Sequence, residues 1–334
     1  MDAQPTFFNA LPPYLGGKRR LAPLIFAALE RELPRTRWSS SVLVDPFCGG
    51  GAVAVYAKAQ GFHVTASDLA TRAATVARAL VANSSVTLHE HDVIRLFEEP
   101  GGEYTKRAAE EFRDRFTLAQ AEWTDRALAQ CDITDEPVRS LLRLVVIKQV
   151  LHLWPLAVAN ATDAPHAAAD DFDRVSPRRV GHYLSARQTL TPSHAWGVAQ
   201  AVNRGVFGGA GEARQGDALD VISSTNVDVL YLDPPYAQTS AYASTYAALD
   251  TLLGADLSSA AVPTLDQLLA AAAHVPHVVL SYGGPTVTLE SLTAAVERHR
   301  PVRRAVAIRY PHLRSLATKE KNDANREFLV IASR

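Results

Sequence analysis

The stretch that most constrains this chain is Val229-Leu230-Tyr231-Leu232-Asp233-Pro234-Pro235-Tyr236. An apolar run rich in β-formers stops at Asp233, and two prolines then remove two backbone donors and fix φ. A strand ending in Asp-Pro-Pro-Tyr cannot pass straight into a helix. It predicts a rigid, extended corner at the carboxyl end of the strand, where open α/β sheets bind their ligands. That corner offers a carboxylate, carbonyls without local partners and an aromatic face. A planar base with an exocyclic amino group needs acceptors and a ring to stack on. Taken alone, the same four residues also fit a proline-rich turn with the tyrosine as a core anchor.

At 334 residues the chain is long enough for two domains, or for one large domain carrying an insertion. Its 47% hydrophobic and 21% charged residues suit a globular protein with a buried core. Two cysteines, Cys48 and Cys131, make neither a disulfide framework nor a zinc cluster, so no metal is expected. A reducing cytoplasm is the expected compartment, and no signal segment is read at the start. The most apolar helix candidate, Val138 to Trp154, contains Arg139, Arg143 and Lys148, which favours a buried helix over a membrane span. A net charge of −1 neither demands nor excludes nucleic acid; its distribution matters more.

In chain order, Gly16-Gly17-Lys18 reads as a loop entering a helix that runs to about Leu33. Lys18 near a helix start is unfavourable by the dipole argument. It is either an ordinary solvated lysine or a side chain reaching a ligand carboxylate. Val42 to Val44 reads as a buried strand that ends in Asp45-Pro46-Phe47-Cys48-Gly49-Gly50-Gly51, with helix-forming composition from Ala52 to Ala59. Strand, glycine turn and helix make the first unit of a dinucleotide-like fold. The next strand, from His63, ends at Asp68, 19 residues beyond Gly49, the separation at which an acid meets ribose hydroxyls. Asp68 also fits a helix N-cap. Gly49, Gly51 and Ala54 match the G-x-G-x-x-A form, so NAD must be weighed.

Val86 to His89 reads as a further strand. From Gly101 the texture changes to an amphipathic helical stretch, Tyr104 to Leu128, and then the buried helix from Val138. Between Arg174 and Arg214 six arginines, Arg178 and Arg179 among them, face one acid, Glu212. With His182, Tyr183 and Trp196 interleaved, that excess suits phosphate contacts and base stacking, or simply a solvated loop region. α/β character returns at Gln215-Gly216-Asp217. Beyond the Asp-Pro-Pro-Tyr corner, Ser240, Tyr242 and Tyr246 either line the same cleft or pack. A helix at Leu265 to Ala273 and a strand from Val278 follow. Arg303 to Tyr310 and Arg326 to Ile331 are expected to pair antiparallel.

Together these residues resemble the Dam-like, alpha-class DNA adenine-N6 methyltransferases, over roughly 7–85 and 214–334 and in the family's order. Tyr14-Leu15-Gly16-Gly17-Lys18 is similar to the amino-terminal cofactor motif, and Asp45-Pro46-Phe47-Cys48-Gly49-Gly50-Gly51 to the main cofactor loop. Asp68 resembles the ribose-binding acid, Gly216-Asp217 the segment ahead of the catalytic motif, and Asp233-Pro234-Pro235-Tyr236 that motif itself. Asn325-Arg326-Glu327-Phe328-Leu329-Val330-Ile331 also has the family's look. The resemblance implies a Rossmann-like α/β methyltransferase domain, residues 1–88 and 214–334, with a mainly helical target-recognition domain inserted at 89–213. It implies S-adenosylmethionine as cofactor and double-stranded DNA as substrate. A cognate restriction endonuclease is the candidate partner. Asp233, Pro234, Pro235 and Tyr236 are the expected catalytic corner. Tyr14, Lys18, Asp45, Phe47, Cys48, Gly49, Gly50, Gly51, Asp68, Asp217 and Asp233 are expected around the cofactor, and Arg178 and Arg179 on DNA.

The implied chemistry is methyl transfer to an amine whose lone pair is conjugated with its ring. Asp233 and the Pro234 carbonyl would accept its two N–H bonds, Tyr236 would stack on the base, and the base must leave the duplex. Cytosine N4 presents a similar amine and is the alternative target. An NAD-dependent dehydrogenase, carried only by the glycine loop and Asp68, leaves the Asp-Pro-Pro-Tyr corner unexplained. Cys48 sits in the cofactor loop rather than in a Pro-Cys dipeptide and is not read as a nucleophile.

Overall fold

The computed structural model describes residues 5–14, 16–111, 116–153, 190–235, 240–255, 257, 261–283, 287–309 and 326–334. Seven strands form one sheet: β1 (Val42–Asp45), β2 (His63–Asp68), β3 (Gly211–Gln215), β4 (Val229–Leu232), β5 (His277–Gly283), β6 (Val302–Arg309) and β7 (Arg326–Ser333). Their spatial order is β3-β2-β1-β4-β5-β7-β6. The five strands β1 to β5 are mutually parallel, and β7 runs against both β5 and β6. The order reverses between β1 and β4, the switch point at which such sheets open a ligand crevice at their carboxyl edge.

β4 shows why the sheet is buried on both faces. All four of its residues are buried: Val229 and Tyr231 join one apolar cluster, Leu230 and Leu232 the other. A continuous apolar run is what a strand covered on two sides requires. On one side lie α1 (Ala22–Leu29), α2 (Ala52–Ala59) and α3 (Thr71–Val76), the last continued by a π-helical turn at Ala77–Ala82. The same cluster takes in α4 (Glu90–Ile94), α5 (Arg107–Glu111), α6 (Leu118–Asp132), α7 (Val138–Leu153) and α8 (Pro192–Asn203). Residues of α9 (Ala218–Ser224), α11 (Leu265–Ala271) and α12 (Leu289–Glu297) line the opposite face. Helix α10 (Ser240–Leu252) follows the β4 corner.

The expected antiparallel closing pair is present, with Ile308 opposite Glu327 and Ala305 opposite Val330. The helix expected from Val138 is α7. Its Lys148 stays inside the protein by donating to the carbonyls of Asn9, Ala10 and Leu11. Two expectations need correction. The first helix begins at Ala22, one turn after Lys18, whose carbonyl accepts the Leu21 and Ala22 N–H groups. Residues 86–89 form no strand. The side chain of Asn203 on α8 meets the Leu88 backbone at 2.9 Å through both its oxygen and its nitrogen, and β3 holds the place beside β2. An amide side chain there does the work of a ladder. Among the described residues no helix is long and apolar enough to cross a membrane.

Candidate active site

The residues of the loop at 45–51 gather where β1 and β2 end. Phe47 N–H donates to Asp45 Oδ1 at 3.3 Å, and Cys48 N–H donates to the Ser67 carbonyl at 2.9 Å, which ties the loop to β2. Asp68 then reaches across. Its Oδ2 accepts the Gly49 N–H and its Oδ1 the Ala70 N–H, each at 2.9 Å. Asp68 therefore holds the glycine loop as well as the turn after β2; the residue at the N-cap of α3 is Ala70. Gly51, at φ +77°, is the N-cap of α2, and this left-handed conformation favours glycine. Asp217, just past β3, caps α9 by accepting the Leu219 N–H at 2.8 Å.

Tyr14 lies directly on the loop. A Cβ at Gly49 would stand 2.7 Å from the Tyr14 hydroxyl oxygen, and one at Gly50 would stand 2.8 Å from Tyr14 Cβ. Side chains at these two positions would push the ring away. On its other side Tyr14 stacks against Tyr246 of α10, ring centres 5.1 Å apart. The Arg72 guanidinium sits 4.2 Å from the Tyr246 ring centre and pairs with buried Asp250. Pro13, Tyr14, Gly49, Arg72, Val76 and Tyr246 line a narrow cleft above the loop.

At the switch point, Asp233 follows the last residue of β4. Lys18 Nζ lies 2.8 Å from Asp233 Oδ2, 3.4 Å from Glu327 Oε1 and 3.2 Å from the Gly16 carbonyl. Lys18 and Glu327 are buried, and the Asp233 side chain is only one-fifth exposed. Ser281 Oγ donates to the same Glu327 oxygen at 2.6 Å. Pro234 is buried and Pro235 exposed. Tyr236, Arg178 and Arg179 lie outside the described residues.

Burial pushes the Asp45 carboxyl well above the usual carboxylate range, and the neighbouring Asp233 charge adds to this; the Phe47 N–H and Lys18 act in the opposite sense. Burial likewise raises Asp68, opposed first by the Ala70 N–H and then by Arg72. The Cys48 thiol is driven up by burial and by Asp68, the reverse of what a nucleophilic thiolate needs. This edge thus gathers the carboxyl groups of Asp45, Asp233 and Glu327 around the Lys18 ammonium.

The edge therefore brings Tyr14, Lys18, Asp45, Phe47, Cys48, the three glycines, Asp68 and Asp233 together, with Asp217 on the flank. Four further residues belong to it: Arg72, Asp250, Ser281 and Glu327. The signal for Glu327 was a lone acid directly ahead of the apolar run from Phe328 to Ala332. Nothing local marks Arg72 or Asp250, which meet only once α10 folds over α3.

The model of the D12 class N6 adenine-specific DNA methyltransferases matches residues 14–146, from Tyr14 through the glycine loop and Asp68 into α7. The chain is also 23% identical over 341 residues to Type II methyltransferase M2.HphI of Haemophilus parahaemolyticus, covering 95% of this chain and 96% of that protein. A shorter likeness, 34% over 119 residues, links 33% of the chain to 39% of oxaloacetate decarboxylase 2 of Pseudomonas fluorescens (strain Pf0-1). That likeness leaves two-thirds of the chain unmatched, whereas the methyltransferase likeness runs through the glycine loop and on past the Asp233 corner. The family match and the long likeness thus agree with each other: this chain is similar to the D12 class of N6 adenine-specific DNA methyltransferases over residues 14–146 and to a Type II methyltransferase over nearly its whole length.

Proposed function

We propose that the methyl donor is S-adenosylmethionine, that it is held over Gly49–Gly51 with its ribose at Asp68, and that Asp233 orients the amine of a flipped-out adenine. The observation that carries this reading is the seat of Asp233: one residue past β4, at the switch point, across from the β1 glycine loop. The donor fits what the loop offers. Asp68 accepts two backbone N–H groups, and a carboxylate has about four acceptor positions, so ribose hydroxyls find lone pairs there.

When bound, the sulfonium supplies an activated methyl group and its own leaving group. The chain's residues supply position. Asp233 and the Pro234 carbonyl accept the two amine hydrogens, which turns the nitrogen lone pair toward the donor. Tyr236 gives the base a face to stack on, and Lys18 pairs with the largely covered Asp233 carboxylate. Residues 89–213 read the target, with Arg178 and Arg179 on DNA phosphates. A cognate endonuclease is the natural partner for such an enzyme.

Asp233→Ala tests the reading. Lys18 keeps Glu327 as its counter-charge, so the variant should fold and bind both S-adenosylmethionine and DNA. Its single-turnover methylation rate should fall by at least about a hundredfold. A wild-type rate, or calorimetry that detects NAD binding and no S-adenosylmethionine binding, would overturn it.

A further inference from the structure

We infer that Glu327 is a positioning residue for methyl transfer: through the shared Lys18 ammonium it sets the orientation and charge of the Asp233 carboxylate. The inference rests on the reading of Asp233 as the group that orients the amine.

The topology explains how a residue so distant in sequence arrives there. β7 is the strand that runs against its neighbours, so its first residues lie at the edge where the parallel strands end. Glu327 is its second residue and pairs in register with Gly283, which has no side chain to compete for the space. Asp233, Ser281 and Glu327 thus come from three neighbouring strands, β4, β5 and β7, and converge on one side of the sheet. Lys18 joins the two carboxylates from the loop before α1.

A buried acid needs a reason. Phe328 to Ala332 are all apolar and buried, and an apolar residue at 327 would continue that pattern. Burying an ion costs several kcal/mol after relaxation, and well-packed apolar replacements are often as stable. Asp233 and Glu327 share the one Lys18 ammonium. Each carboxylate then holds the ammonium less tightly than it would alone. Among the described residues, the groups facing Asp233 include Lys18 from its loop, Asp45 from β1, Tyr231 from β4 and, across Lys18, Glu327 from β7. Removing the Glu327 charge takes away a competitor for the ammonium and a negative charge near Asp233, which lowers the basicity of Asp233 and weakens it as an acceptor. Removing the ammonium does the opposite.

The test is the single-turnover methylation rate from pH 4.5 to 8.5 for wild type, Glu327→Gln, Lys18→Met and Asp233→Ala. Gln keeps the acceptor for Ser281 and Lys18 and loses only the charge. We expect Glu327→Gln to slow the plateau rate about tenfold and to move the acid limb about one unit lower in pH. Lys18→Met should move that limb higher. Thermal melts on each variant separate loss of fold from loss of chemistry. If Glu327→Gln lowers Tm but leaves the limb where it is, or if both variants move it the same way, Glu327 is a structural staple and the inference fails. If Asp233→Ala stays active, the reading of Asp233 fails instead.

Discussion

Asp45 carries an energetic burden that its neighbours explain. Its folded-state ionisation is raised by burial and by the Asp233 charge. A raised carboxyl favours its protonated form in the native state, so the ionised group destabilises the fold at neutral pH. That cost disappears as pH falls through the folded value toward the unfolded one, near 3.9. Asp45→Asn should therefore raise Tm at pH 7.5 by about 2 °C or more, and the gain should shrink steadily toward pH 4. Melts that show an equal gain at both pH values would contradict the electrostatic cause. Asp68 behaves differently, because its carboxylate holds the loop through the Gly49 N–H. Asp68→Ala should weaken S-adenosylmethionine binding by about 1.5–3 kcal/mol, as calorimetry can measure. At this scale the acids at the strand ends were legible, because each stands where an apolar run stops. The partners of those acids were not legible: nothing in the residues around 18 and 327 says that they will meet.

Among the elements, α2 is tied to the π-helical turn at Ala77–Ala82 by a buried cation. Lys58 Nζ donates to the Leu80 carbonyl at 3.0 Å and the Asn83 carbonyl at 2.7 Å, and burial brings its ionisation down to about 8. Carbonyls at a helix end have no intrahelical donor, and Lys58 provides one. Lys58→Met keeps the apolar stem and removes the donors, so denaturant melts should show a loss of about 2 kcal/mol. An unchanged midpoint would mean that water serves those carbonyls equally well. Strand and helix identities were readable wherever apolar runs were long, as in α7 and the β6–β7 pair. The mistaken strand at 86–89 shows the limit: a short alternating run is satisfied as well by one Asn203 side chain as by a sheet neighbour.

Over the whole molecule, the sheet order turns separated motifs into one edge. The parallel strands β2, β1 and β4 deliver Asp68, the glycine loop and Asp233 from one direction, while the reversed β7 delivers Glu327. The α/β class was legible from the spacing of motifs; the reversal of β7 was not, because strand direction depends on pairing rather than on local composition. The helices from α4 to α8 share a core cluster with β1, β2 and β4, so target reading by residues 89–213 would be anchored on the same core as the chemistry. Replacing Arg178 and Arg179 with Ala should weaken DNA binding and flatten its salt dependence, which titrations at two salt concentrations can resolve. The proposed reaction turns on which base atom receives the methyl group. Duplex DNA treated with the enzyme and isotope-labelled S-adenosylmethionine, then digested to nucleosides for mass spectrometry, reads that atom directly. We expect label in N6-methyladenine with wild-type enzyme and none with Asp233→Ala; label in N4-methylcytosine, or equal label from both enzymes, would refute adenine-N6 transfer at Asp233.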